Sequence, residues 1–393
     1  MANRRIGVEE RRARLALRHH LAPEARAAGP VEVARDLVGL HGTDPASVFL
    51  AAWARLLAPE LEAIQQAMYE ERALLRILGM RRTMFVVSLD LLPVVHAACT
   101  RAIAAQQRTQ LARMIAQAGI ADDPERWLRD VEEETVRALA ARGEALAAEL
   151  SQDVPRLREQ LHLAAGKPYE AKVNITTRVL FLMAADGLII RGRPRGSWIS
   201  SQFRWAPLEK WLPGGVPQMP TEAAQAELVR RWLASFGPGT AADLKWWTGL
   251  TAGAVKRALA EIGPVEVGLD GGTGLVLPGD EEPVPAPEPW AALLPALDPT
   301  AMGWSERAWY LGEHGPALFD RSGNVGPTVW WQGRIVGGWA QRDDGEIVLR
   351  LLEDVGADAS AAVEAEAERL GGWFGAVRVT PRFRTPLERE LTA

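Results

Sequence analysis

The chain has one cysteine, Cys99, in 393 residues. That excludes an internal disulfide framework and a cysteine-built zinc cluster. Its six histidines never fall in a metal-ligand spacing such as HxxxH, so no structural metal is expected. No stretch approaches the roughly 20 apolar residues that span a bilayer. The basic N-terminus, "MANRRIGVEERRARLALRHH", lacks the apolar core of a signal peptide. These absences predict a cytoplasmic protein with no membrane partner. What is present, 48% hydrophobic and 24% charged residues, suits a globular chain long enough for roughly two to four domains.

The net charge of −5 is unevenly spread. Residues 1–110 carry 15 Lys+Arg against 11 Asp+Glu, residues 111–270 carry 20 against 20, and residues 271–393 carry 10 against 19. A basic or neutral front with an acidic back is compatible with binding a polyanion on one face only. Total charge therefore does not exclude DNA.

The clearest architecture starts at "TEAAQAELVRRWLASFGPGTAADLKWWTGLTAGAVKRALAEIG". It reads as a helix to about Ser235, a Gly-Pro-Gly break, a short helix from Thr240, a Gly-Leu-Thr turn and a third helix capped by Thr251. The runs "VEVGL" and "GLVLP" flank a Gly-Gly turn and read as a hairpin. Three helices and a hairpin make the winged-helix plan. Upstream, "NITTRVLFLMAADGLIIRGRPRGSWISSQFRW" predicts a helix with Val179, Leu182 and Met183 inward, ended at Gly187, then two strands around a basic turn. Further upstream, "LEAIQQAMYEERALLRILGMRRTMFVV" predicts a helix and two strands around Arg81-Arg82. The irregular spacing is not that of a true repeat.

The expected fold class is therefore α+β. Winged-helix units are placed at residues 1–120, 121–215 and 216–278, followed by a small β-rich, barrel-like domain at 279–393. In that last domain, "WWQGRIVGGW" predicts a hairpin turning at Gln332-Gly333, and "ADASAAVEAEAERLGGWFG" a closing helix.

Five motifs occur in a telling order: "RDLVGLHGTDPASVFLAAWAR", "RGRPRGSW", "FGPGTAADLKWWTGLT", "LLPALDPTAMGW" and "GRIVGGW". With this order the chain resembles the AlkZ/YcaQ-type winged-helix DNA glycosylases over nearly its whole length. The resemblance implies a C-shaped array of three winged helices around duplex DNA. The activity it implies is excision of bulky N-alkylated purines, including adducts of antibiotic genotoxins and interstrand crosslinks. It also implies a catalytic pair of glutamines, or a glutamine and an aspartate, separated by one residue. Carried onto "GLHGTDP", these positions are His41 and Thr43, and neither is glutamine.

The motif can also be read from its residues. Asp44-Pro45 is a strong helix start, with Asp44 as N-cap, proline at the first helical position and Thr43 as a secondary cap. His41 is placed at the C-terminal end of the preceding helix, where a half-buried or dipole-stabilising role is ordinary. Chemically, an N7- or N3-alkylated purine is already a cationic leaving group. The enzyme has to hold a water near the anomeric carbon and stabilise an oxocarbenium-like sugar. His41 as general base, Thr43 orienting the water and Asp44 opposing the cationic sugar are the candidate catalytic residues, with His41 and Asp44 unranked.

Arg191, Arg193 and Arg195 in the second hairpin, Arg81 and Arg82 in the first, and Lys245 with Lys256 and Arg257 in the third unit are candidate phosphate or minor-groove contacts. Trp246 and Trp247 read as core. Gln332 and Arg334 at the "WWQGR" tip are candidates for a minor-groove wedge. No cofactor is expected, and no catalytic lysine is evident, so strand cleavage is not expected. The partner predicted is double-stranded DNA carrying an alkylated purine, bound by a monomeric, nucleoid-associated protein. The alternative is a non-catalytic winged-helix regulator or lesion sensor. A regulator would usually be a dimer matched to a palindrome, and no coiled-coil segment is present.

Overall fold

The computed structural model of the chain describes residues 4–163 and 171–393. Local chemistry sets the elements of residues 221–276 closely. The helix Thr221–Phe236 is followed by Ala241–Thr248, where Thr240 accepts the Asp243 N–H at 3.0 Å and Asp243 accepts the Thr240 N–H at 3.0 Å. This capping box satisfies two otherwise unpaired backbone donors. Thr251 caps Ala252–Ile262 through the Ala254 N–H, and strands Val265–Leu269 and Gly272–Val276 pair antiparallel. The predicted helices and hairpin are all in place.

Upstream, helix Leu61–Gln65 runs through a π-helical turn, Gln66–Glu70, into strands Leu74–Leu78 and Met84–Ser88. Their turn holds Arg81 and Arg82 at φ of 52° and 59°, a strained conformation for residues with a Cβ. A third strand, Leu40–His41, joins this sheet by pairing with Val86 and Phe85. His41 is thus not at the end of a helix. The helix Pro30–Asp36 stops short of it, and the chain leaves through Val38 and Gly39, both at positive φ. A Cβ at Gly39 would lie 3.1 Å from Val87, so glycine suits both the space and the angle.

The middle unit has helix Thr176–Ala185 with Val179, Leu182 and Met183 buried, and strands Ile189–Pro194 and Phe203–Pro207 joined at the edge by Ala145–Leu146. Its core, drawn from residues 111–205, is separate from the large core that unites residues 15–99 with 190–262 and 290–391. The C-terminal sheet runs Ala291–Leu294, Thr328–Trp331, Arg334–Gln341, Ile347–Leu351, all antiparallel. It corrects the barrel-like expectation. The two outer strands do not pair, four strands are too few to close, and helix Ala357–Phe374 packs on the sheet instead. The hairpin does turn at Gln332-Gly333. Among the described residues no helix is long and apolar enough to cross a membrane.

One buried ion pair ties the ends of the chain together. Arg55 and Asp298 are fully buried and meet in a two-pronged pair at 2.7 and 2.9 Å. Arg55 also donates to the carbonyls of His19 and Ala51 and to the Thr300 hydroxyl, which employs every guanidinium N–H. Removing one partner of such a pair strands the other charge. Asp298→Asn is therefore expected to lower unfolding stability by about 3–5 kcal/mol, read from the urea midpoint, whereas a loss below about 1 kcal/mol would contradict this account.

Candidate functional site

The motif at 41–44 divides into three different environments. Asp44 is the N-cap of Pro45–Trp53: one carboxylate oxygen accepts the Ala46 N–H at 3.2 Å, and the other accepts the Arg382 N–H at 2.9 Å. Burial pushes its pKa up, opposed by these two backbone bonds. Both oxygens are engaged in holding the helix start and the C-terminal segment. His41 is 6% exposed, with its ring 5.4 Å from that of Phe85. Burial, with the nearby positive charge of Arg81, pushes its pKa down to about 3, and its Nδ1 has no hydrogen-bond partner in the protein. It is a neutral imidazole at any physiological pH. Thr43 is half-buried, and its Oγ1 is likewise without a protein partner.

Thr43 faces a cleft of about 500 Å³ between the motif, the middle unit and the C-terminal segment. Arg191, Arg195 and Arg382 line it with Gln202 and Phe203. The Arg191 guanidinium lies over Trp205 at 5.1 Å and near Phe203 at 6.0 Å, and burial lowers its pKa to about 10. Arg382 donates to the Thr43 carbonyl at 3.4 Å. None of these three arginines is ion-paired to a carboxylate of the described residues, and no carboxylate lines the cleft. Below the rim lies Arg76, 6% exposed, over Phe203 at 4.6 Å and donating to the Gly42 carbonyl at 3.3 Å. Its Nε and one terminal nitrogen are shielded from solvent and meet no acceptor at full hydrogen-bond geometry, while the Tyr69 hydroxyl and Asp44 oppose its charge from nearby. Gly42 makes the approach feasible, since a Cβ there would lie 3.2 Å from the Arg76 guanidinium.

The structure thus brings Thr43, Arg191 and Arg195 together and leaves other candidates elsewhere. A bulge between Arg191 and Pro194 turns Arg193 aside, onto Glu70 at 2.5 Å and over Tyr69. Arg81 stacks on Trp246 at 4.1 Å, with Arg307 at 5.0 Å from the same ring, in a second cleft of about 420 Å³. Trp246 is therefore half-exposed and cation-flanked, not core, whereas Trp247 is buried. Arg82 binds Gln107 at 2.7 Å, and Lys245, Lys256 and Arg257 are exposed. Gln332 is exposed, but the adjoining Gly333 is packed on Arg12, and Arg334 pairs with Glu353 at 2.9 Å. That tip rests on the first helix, Val8–Arg18, and does not stand clear of the body.

Sequence reasoning missed Arg76, Arg307 and Arg382. The run "RVTPRFRTPLER", basic inside an acidic domain, was a usable signal for Arg382. His20, Glu32 and Asp36 are the one set among the described residues grouped as metal ligands would be, within 4.8 Å. Both ring nitrogens of His20 are already engaged, by the Ala25 carbonyl and by Asp36.

Comparison with known proteins shows the family. A family profile described as "DNA glycosylase AlkZ-like" matches residues 34–373. An "Interstrand DNA cross-link repair glycosylase" of Streptomyces sahachiroi is 28% identical over 219 residues, which is 52% of this chain and 57% of that protein. The solved structure of the Streptomyces sahachiroi DNA glycosylase AlkZ superposes with a TM-score of 0.71 at 20% identity, over 96% of this chain and 99% of that one. That likeness extends the shared fold beyond the segment aligned by sequence. The chain belongs to the AlkZ-like DNA glycosylase family.

Proposed function

We propose that the chain is a monofunctional DNA repair glycosylase that hydrolyses the N-glycosidic bond of bulky N7- or N3-alkylated purines and leaves an abasic site. The observation that carries this reading is the carboxylate-free cleft beside the 41–44 motif, lined by three arginines without ion pairs. The arginines suit a DNA backbone, and Thr43 beside them suits a water at the anomeric carbon once its side chain turns toward the cleft. The three helix-and-hairpin units are read as tandem winged helices of a monomer on duplex DNA. The cross-link repair named for the Streptomyces sahachiroi relative extends the proposed substrates to interstrand crosslinks. In a producer of alkylating genotoxins, the same activity would serve self-resistance.

The chemistry fits an already charged base. The cationic purine leaves without an acid, and the developing oxocarbenium ion is captured by water that needs orientation more than deprotonation. Thr43 supplies a neutral hydrogen-bonding group to a water in the cleft by a rotation of its buried hydroxyl, and Gln202 lines the same cleft. Asp44 acts by holding the motif and Arg382 in place. His41, neutral and buried, packs behind the motif as a positioning residue.

Single-turnover base release from a duplex containing a bulky N7-alkylguanine tests the assignment. Thr43→Ala is expected to slow release by about a hundredfold, the scale of lost catalytic assistance, with duplex binding kept. His41→Gln is expected to stay within about tenfold of wild type. Absence of release from every adduct, with intact binding, would make the chain a non-catalytic DNA-binding protein.

The pH profile is a separate prediction. With the His41 pKa depressed to about 3, its neutral form persists as pH falls from 8 to 5, and the release rate should be flat there. A limb falling tenfold per unit below about 6.5 would instead identify an exposed, titrating base. Stability should behave differently. Protonation is easier in the unfolded chain, so the His41 contribution destabilises the fold progressively as pH drops from 6.5 toward 3.

A further inference from the structure

A further cavity, of about 410 Å³, opens beside the Thr43 cleft and differs from it in chemistry. Its walls are Leu111 and Met114 of the helix Arg101–Gln117, Phe181 and Leu182 of the helix Thr176–Ala185, and Val173 of the strand Ala171–Asn174. Leu111 and Leu182 are buried, but Met114, Val173 and Phe181 are half-exposed, so apolar surface faces the opening. Polar groups rim it. Arg82 donates to the Gln107 side-chain oxygen at 2.7 Å, and the Gln107 amide donates to that of Gln110 at 3.4 Å. No carboxylate lines the cavity. Apolar walls, a few placed polar groups and a volume of this order are the makings of a small-ligand site.

Thr177 joins the two spaces. It lines the cleft together with Leu180, and it lines the further cavity together with Phe181. Residues three and four apart share a helix face, and one turn rises about 5 Å. A substituent on a base held in the cleft therefore enters the cavity only if it extends about one helical turn beyond Thr177. A methyl group stops short, and an aryl chain does not. Covering Met114, Val173 and Phe181 removes apolar surface from water, which favours an apolar occupant over a sugar or a phosphate.

We propose that this cavity is the subsite for the apolar appendage of a bulky alkylpurine, and that Phe181 and Met114 set the preference for such adducts over methylated bases. This inference rests on the DNA glycosylase reading above. It narrows the substrate class to purines whose alkyl group carries an aromatic or other extended apolar chain.

The test is single-turnover base release, with enzyme in excess of DNA but below saturation, from duplexes carrying N7-methylguanine, N7-benzylguanine or N7-(biphenylmethyl)guanine. Each rate is divided by that of spontaneous depurination of the same duplex. In wild type the normalised rate is expected to rise by about tenfold or more from the methyl to the biphenylmethyl adduct. Phe181→Ala and Met114→Trp should each remove most of that rise and leave the methyl adduct within about twofold of wild type, because neither residue lines the cleft. One variant empties the wall and the other fills the cavity from the facing helix, so either carries the test where its counterpart fails to fold.

Equal normalised rates for the three adducts, or variants that slow the methyl and biphenylmethyl adducts alike, would overturn the subsite and leave the glycosylase reading standing. No release from any adduct would overturn both. Weaker binding of both variants to undamaged duplex, with the adduct preference intact, would assign this face to the DNA backbone and overturn the subsite.

Discussion

The fold depends on the buried pair of Arg55 and Asp298. A charge removed from water is tolerated only where every hydrogen-bonding site is met, and here each guanidinium N–H has an oxygen to receive it. The partners come from distant parts of the chain. The His19 carbonyl ends the first helix, Ala51 and Arg55 lie at the end of the helix that Asp44 caps, and Asp298 and Thr300 precede the C-terminal sheet's hairpin. His19 adds to this junction through its ring, on the Thr300 hydroxyl and the Ser235 carbonyl, and burial keeps its pKa well below the ordinary value. The large core can be continuous from residue 15 to residue 391 because its polar seam is closed.

That junction also explains why the 41–44 motif sits where it does. The helix Pro45–Trp53 is buried along its length, and its C-terminal end runs into the Arg55 network. Its start is held by Asp44, whose second oxygen takes the Arg382 N–H. The motif is thus anchored by the C-terminal segment at one end and by Asp298 at the other. Thr43, next to the cap, lines the cleft from a rigid base, and precise placement of that kind is what the proposed orienting of a water requires.

What was legible in the sequence was local. Thr240 and Thr251 as caps, Asp44-Pro45 as a helix start and Gln332-Gly333 as a turn depend on residues within a few positions of each other, and the structure has each of them. The position of His41 was not legible, since a two-residue strand is defined by its partners Val86 and Phe85 and not by its own pattern. Arg193 alternates with Arg191 and Arg195 in sequence, but a bulge breaks the alternation and sends it to Glu70. Arg382 approaches Asp44 across 338 positions, a contact no spacing rule reaches. Family resemblance singled out the motif, and packing decided which of its polar residues lines the cleft.

Arg55 and Arg76 make the underlying physical distinction plain. Both are buried arginines, both lie close to an aspartate, and neither is conspicuous in the sequence. Arg55 is saturated, with its carboxylate partner in direct contact, and replacing any member of its network can only subtract from stability. Arg76 reaches one carbonyl and one aromatic face, and two of its nitrogens are shut away from solvent with only Tyr69 and Asp44 nearby to oppose the charge. A fold selected for stability alone would fill that space or bring a carboxylate to it, since unpaired buried charge is among the costliest features a core can carry. Burial accordingly holds the Arg76 pKa below the ordinary arginine range, the mark of a charge whose compensation is incomplete. The saturated arginine therefore closes a structural seam, and the unsaturated one leaves an uncompensated cost beneath the 41–44 motif.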